Sequence, residues 1–244
     1  MTPDFAALHR AGAPLLLPNV WDVAGAAALA AAGFAAVGTT SLGVAASAGL
    51  PDGHGETTAE TLRLLRRLTR LPLLISADLE RGTVADAVAA AASGASGINI
   101  EDAMTDPHAH ARLIRAIKRE APHLFVNARA DTHWLRTGTL TEAMHRTQLY
   151  QDAGADGVFV PGLSTLDDIA ALASSLAIPL NVLYRPDGPP LADLTAAGAR
   201  RVSLGSLPFR AALTAQVDVA TAVRAGTSVR TDLPTYQDVN PIGR

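Results

Sequence analysis

Short apolar runs alternate with longer Ala- and Leu-rich segments from one end of the chain to the other. Eight runs read as strands: Leu15–Val20, Ala36–Thr40, Leu73–Asp78, Gly97–Glu101, Leu124–Arg129, Gly157–Pro161, Leu180–Leu183 and Arg201–Leu204. Their apolar character is nearly continuous, the pattern of parallel strands covered on both faces. The segments between them carry helix punctuation. Asp22 opens the first helix and Gly33 closes it. Thr57-Thr-Ala-Glu60 reads as a capping box ahead of Leu62, Leu65 and Leu68. Thr83 and Asp86 form a second cap pair, with Gly94 as the stop. Asp106-Pro107 puts a cap before a proline, with Ile114 and Ile117 on the inner face. Thr139-Leu-Thr-Glu142, Ser164-Thr-Leu-Asp167 and Pro189-Pro190 open three more, and the last helix runs from about Pro208 to Ala225.

Eight strand–helix pairs in 244 residues predict an α/β fold, a single-domain (β/α)₈ TIM barrel over residues 1–226, with 227–244 as an extended tail. A doubly wound open sheet is the weaker alternative, because no Gly-x-Gly-x-x-Gly turn follows the first strand.

Composition removes several classes of function. A net charge of −3 without long like-charge runs argues against a nucleic-acid or anionic-membrane surface. No apolar run of membrane length is present, and the first ten residues lack a secretory pattern, so a cytoplasmic protein is expected. The absence of cysteine excludes thiolate chemistry and Cys-ligated metal. Lys118 is the single lysine and lies in a predicted helix, so a Schiff-base aldolase is disfavoured.

The polar residues gather where strands end, the rim on which barrels build their sites. Asp78 and Glu101 close the third and fourth runs. Neighbouring parallel strands lie about 4.8 Å apart, so these two acids could share one ion. Carboxylates without nearby His or Cys favour magnesium, with manganese as the alternative, over zinc. Arg129 faces the same way as Asn127, and its planar fork suits a carboxylate or phosphate. Simpler roles compete. Any one strand-end acid is more often a cap or an ion-pair partner, Asp22 reads as a cap, and Asp102 and Asp131 read as loop-bonding residues. Arg129 could only neutralise Glu101. His54, in the loop Gly49-Leu-Pro-Asp52-Gly-His54-Gly55, is a catalytic candidate, although a solvated loop position is the commoner reading. His9, His123 and His145 read as surface positions, and Trp21 and Trp134 as pocket walls or core.

Six motifs then stand in order: Asn19-Val-Trp-Asp22, Gly38-Thr-Thr-Ser41 followed by Gly43-Val-Ala-Ala, Gly49-Leu-Pro-Asp52, Ser76-Ala-Asp-Leu-Glu80, Asn99-Ile-Glu-Asp102 and Asn127-Ala-Arg-Ala-Asp131. Together the chain resembles the isocitrate lyase/phosphoenolpyruvate mutase superfamily from about Pro14 to Arg210. The resemblance implies a barrel that binds magnesium and a small 2-oxo or 2-hydroxy carboxylate. It places Asp52, Asp78 and Glu101 at the metal, Thr40, Ser41 and Leu42 at the substrate carboxylate and oxo group, and Arg129 and Asn181 beside the substrate. It also implies a homodimer or homotetramer, often built by exchange of the last helix. The chain departs from the family at four places. The cysteine-bearing lid after the fourth strand is missing, Ser76 stands where the family has an acid, Glu80 replaces a glycine and is a candidate substitute metal ligand, and Gly162 stands where many lyases have a glutamate after the sixth strand. The expected activity is a magnesium-dependent carbon–carbon lyase, a decarboxylase or retro-aldol enzyme working through an enolate. The alternatives are phosphoenolpyruvate mutase or phosphonopyruvate hydrolase chemistry, and a non-catalytic carboxylate-binding barrel.

Overall fold

A computed structural model describes residues 4–10 and 12–243. Parallel strands β1 (Leu15–Leu17), β2 (Asn19–Val20), β3 (Ala36–Thr39), β4 (Leu74–Asp78), β5 (Gly97–Glu101), β6 (Phe125–Arg129), β7 (Gly157–Phe159), β8 (Leu180–Leu183) and β9 (Arg201–Ser203) form one sheet. β1 and β2 are two pieces of the first predicted strand, interrupted at Pro18, which has no N–H to give the ladder. β1 pairs with β9 and β2 with β3, which brings the sheet round into a (β/α)₈ barrel. Ile98, Ile100, Val126 and Ala128 face outward and are fully buried under the helices. Their neighbours Asn99, Glu101, Asn127 and Arg129 face inward, as strand alternation requires.

The helices are α1 (Val23–Ala31), α2 (Ser41–Ala48), α3 (Thr58–Leu68), α4 (Val84–Ala92), α5 (Pro107–Glu120), α6 (Leu140–Asp152), α7 (Leu166–Ser174), α8 (Leu191–Ala196), α9 (Leu207–Ala225) and α10 (Tyr236–Val239). Asp22, Asp106 and Thr139 cap as expected, and Thr83 with Asp86 forms a full capping box. Two cap readings are corrected. The Thr57–Glu60 box does not form, because the Thr57 hydroxyl is taken by Glu80. α7 is capped by Thr165 instead of Ser164. α2 was not anticipated from the sequence at all.

The stretch read as an extended tail carries α10, capped by Thr235, and a 3₁₀ turn over Asn240–Gly243 that lies against α1. Arg244, the end of that stretch, and residues 1–3 of the N-terminal segment lie outside the described residues. At the opposite end of the barrel from the strand C-termini, Phe5, Leu17, Ala36 and Phe125 form a separate apolar plug. His9 belongs there and is not a surface residue. It is 6% exposed and stacks on Phe125 at 4.4 Å between centroids. Burial, then the charge of Arg201, pulls its pKa down to about 4, so it stays neutral. No described helix is long and apolar enough to cross a membrane.

Candidate active site

The strand C-termini surround a cavity of about 370 Å³. Asp78 is the last residue of β4 and pairs in register with Asn99 of β5. Its Oδ1 accepts from Asn99 Nδ2 at 3.1 Å, and Asn99 Oδ1 in turn accepts from Asn127 Nδ2 at 3.0 Å. This chain of amides crosses three strands and fixes the orientation of Asp78. The other oxygen, Oδ2, meets only a long contact of 3.4 Å from the Ser41 N–H.

Glu101 closes β5 and pairs in register with Arg129 of β6. Arg129 Nη1 reaches Glu101 Oε2 at 2.9 Å, while its Nε and Nη2 both reach Asp131 Oδ1 at 2.6 Å. The guanidinium also lies 5.6 Å from the Trp134 ring and 6.0 Å from that of Phe159. The ion pair weighed from sequence is therefore present. Arg129 nonetheless cannot balance the acids around it. Burial pushes the Glu101 pKa up to about 7; Arg129 pulls it down, but Asp131, Asp78 and Glu80 add to the rise. The rim carries surplus negative charge.

Glu80 has a different occupation. It sits at φ 52°, in the left-handed region that a non-glycine residue enters at a cost, and it is 3% exposed. Its Oε2 accepts from the Gly55 N–H at 2.7 Å, and its Oε1 accepts from the Thr57 hydroxyl. Both oxygens fasten the loop over residues 50–57. That loop brings Asp52 to the cavity edge, where it is exposed; His54 is also exposed and does not line the cavity. Thr40, Ser41 and Leu42, at the start of α2, do line it, as does Asn181 of β8. Thr40 makes no side-chain cap, so the positive end of α2 faces the cavity without one.

Asp102, next in sequence to Glu101, points the other way. It accepts from Arg146 Nη1 (2.8 Å), Tyr150 Oη (2.5 Å), Met104 N (3.0 Å) and Asp131 N (3.1 Å). Burial alone would raise its pKa, but these donors hold it below the usual carboxylate range. Asp131 accepts from the Ala103 N–H at 3.0 Å. Both acids thus brace the turn over residues 102–106, which leads directly into α5 and leaves no inserted lid. Lys118 pairs with Asp156 at 2.7 Å, away from the cavity.

One residue escaped the sequence reading. Arg201 opens β9 and lines the cavity, 3% exposed, with Nη2 donating to Ser76 Oγ at 3.2 Å. An arginine at the head of a buried strand, two residues before Ser203 on the same face, was the available signal.

The donors present suit a hard cation in a limited way. Among the described residues no three His, Asp or Glu side chains converge into a complete metal cage. Asp78 and Glu101 each keep an oxygen that no strong donor occupies, which fits a magnesium ion held by one or two carboxylates, water and substrate. Glu80 fits less well, since both of its oxygens hold the loop.

Fold and rim together define a barrel enzyme with a carboxylate-rich mouth. The family model for phosphoenolpyruvate phosphomutase matches residues 5–224. The chain belongs to this family, within the isocitrate lyase/phosphoenolpyruvate mutase superfamily of carbon–carbon lyases and mutases. An uncharacterized protein of Mycobacterium tuberculosis is 43% identical over 242 residues, covering 95% of this chain and 93% of that protein. The oxaloacetate decarboxylase of a Bradyrhizobium strain is 30% identical over 189 residues, 70% of this chain and 65% of its own length. A Burkholderia cenocepacia protein provisionally assigned as a lyase/mutase superposes with a TM-score of 0.88 at 34% identity, over 98% of this chain and 93% of its own. A phosphonopyruvate hydrolase solved with oxalate and magnesium shares the fold, with a TM-score of 0.82 at 23% identity, over 100% and 95% of the two chains.

Proposed function

We propose that the chain is a magnesium-dependent lyase that breaks a carbon–carbon bond of a small 2-oxo or 2-hydroxy carboxylic acid through an enolate. The observation that carries this reading is the pairing of Asp78 and Glu101 over one cavity, with more negative charge than Arg129 can offset. Magnesium fits that pair, and manganese would take the same oxygens. When bound, the ion would polarise the 2-oxo oxygen.

The chain's own groups do the remaining work. The N–H groups of Ser41 and Leu42, at the positive end of α2, support the carboxylate and oxo oxygens. Thr40 and Asn181 line the same space and hold the substrate by hydrogen bonds. Arg129 orients Glu101 and has N–H groups left for the substrate. The short turn over residues 102–106 favours decarboxylation or a retro-aldol step through an enolate. Decarboxylation needs a proton only after the bond has broken, whereas a retro-aldol step also gives up its hydroxyl proton as the bond breaks; solvent would take and return these protons, since His54 lies outside the cavity. Asp52 supports the ion through water, and Glu80 holds the Asp52 loop.

The test is turnover by the purified chain with magnesium on oxaloacetate, 2-methylisocitrate and phosphonopyruvate. Oxaloacetate should give pyruvate, with loss of activity in EDTA and in Asp78→Asn. No turnover of any 2-oxo or 2-hydroxy acid sinks the reading. Faster phosphonopyruvate cleavage favours the phosphonate alternative, and binding without product favours the non-catalytic barrel.

We infer as well that the chain works as a homodimer or homotetramer. α9 leaves Leu213, Val217 and Val223 exposed at 48%, 63% and 65% along its length. Light scattering behind a sizing column should show more than one copy, and a monomer at micromolar concentration would count against it.

A further inference from the structure

The cavity has two electrical ends. Its rim carries Asp78, Glu101 and Asp131 against Arg129. Deeper in, at the first residue of β9, lies Arg201, and among the described residues its Nε and Nη1 find no acceptor. Asn181 is its register partner on β8, 1% exposed, and neither its Nδ2 nor its Oδ1 has a partner among the described residues. Both residues line the cavity. Buried polar groups left this bare are rare in folded proteins and call for an occupant. Half-buried Arg129 and buried Arg146 each contact two carboxylates, whereas Arg201 has only the Ser76 hydroxyl. Beneath it His9 is neutral and supplies no counter-charge. Burial pulls the Arg201 pKa down to about 9, with Asp78 acting in the opposite direction from a distance. The guanidinium is therefore still charged at neutral pH and locally unbalanced.

We infer that Arg201 and Asn181 form an anion-binding floor to the cavity, which takes the second carboxylate of a dicarboxylate substrate. The inference rests on the oxo-acid reading above for the placement of the first carboxylate at the rim. A carboxylate at the floor would accept from Arg201 and from Asn181 Nδ2, and would relieve both vacancies at once. A substrate with a methyl group in that place would leave the cation bare.

The experiment is calorimetry on the full chain with magnesium, comparing pyruvate with 3,3-difluorooxaloacetate, a dicarboxylate that cannot enolise. The wild type should bind the dicarboxylate at least about tenfold more tightly, the usual range for a hydrogen bond to a charged group. Arg201→Met should lose that preference and leave pyruvate binding unchanged. Asn181→Asp, which places a carboxylate beside Arg201 within the chain, should also lose the preference while melting no lower than the wild type. This second variant keeps the test open should Arg201→Met fail to fold. Equal binding of the two ligands by the wild type, or a preference that survives in either folded variant, overturns the floor site and leaves the oxo-acid reading standing. Failure of the wild type to bind either ligand overturns both.

Discussion

Glu101 and Asp102 are consecutive residues that meet opposite fates. Asp102 lies outside the barrel wall, where four donors converge on it and hold its pKa low. Glu101 lies inside, where one arginine is shared with Asp131 and its pKa climbs to about 7. Strand alternation alone separates them. The outer carboxylate is satisfied by the protein and so serves the fold. The inner one is left with an unmet demand for positive charge, which makes it the better candidate for function.

Removing the outer acid should have the largest effect. Asp102→Ala leaves Arg146 buried without its inner partner, together with the Tyr150 hydroxyl and two backbone N–H groups. The expected loss is about 3–5 kcal/mol of unfolding free energy in a urea titration. Glu101→Gln in metal-free protein at pH 8 should be neutral or stabilising, because it deletes a charge the site does not fully balance. Equal destabilisation by the two changes would erase the contrast.

The same contrast predicts opposite pH slopes. Glu101 has a folded pKa above its ordinary value of 4.5, so the folded state binds the extra proton between about 4.5 and 7. Its contribution to stability is present below 4.5 and is lost as the pH rises through 7. His110, edge-on to Tyr150 on the outer side, is pulled down to about 4 by burial, with Asp102 opposing and Arg146 adding to the shift. The unfolded chain binds that proton first, so stability falls as the pH drops from 6.5 toward 4. Asp102, with its lowered pKa, adds a loss as the pH falls below 3.8. Melting temperatures of the metal-free chain from pH 4 to 8 should therefore change slope in Glu101→Gln between about 4.5 and 7, and with the opposite sign in His110→Phe between about 4 and 6.5. A wild-type profile left unaltered by both substitutions would refute these assignments.

Most of the barrel was legible because parallel strands buried on both faces read as unbroken apolar runs, and because caps such as Asp22, Asp106 and Thr139 act over three residues or fewer. The gathering of Asp78, Glu101 and Arg129 at one cavity was legible for a similar reason, since alternation and strand adjacency fix it. Features decided at long range were not legible. His9 reads as a polar surface residue until Phe125 stacks on it. α2 hides because Ser41-Leu-Gly-Val-Ala-Ala-Ser-Ala has a central glycine and no side-chain cap. Arg201 hides because its hydrogen-bond partner Ser76 lies 125 residues away on β4.

Thr57 offers the smallest and most local test of the inner side. Its spacing to Glu60 suits a capping box, yet its hydroxyl donates to Glu80, 23 residues further on. If holding the Asp52 loop is what Glu80 does, Thr57→Val removes one of its two loop bonds and leaves Gly55 in place. The global cost should be about 1–3 kcal/mol, as for one hydrogen bond to a buried charged group. The local effect should be clearer, because the loop carries Gly53 and Gly55 and is exposed over residues 51–56. Limited proteolysis should cut within residues 50–56 faster in Thr57→Val than in the wild type, and Thr57→Ser, which keeps the hydroxyl, should restore protection. Faster cutting in both variants would trace the effect to side-chain volume, and the Glu80 clasp would lose its support. Cutting confined to Thr57→Val would show that this buried acid at the inner rim is spent on the loop. Asp78 and Glu101 would then be the carboxylates left for an ion.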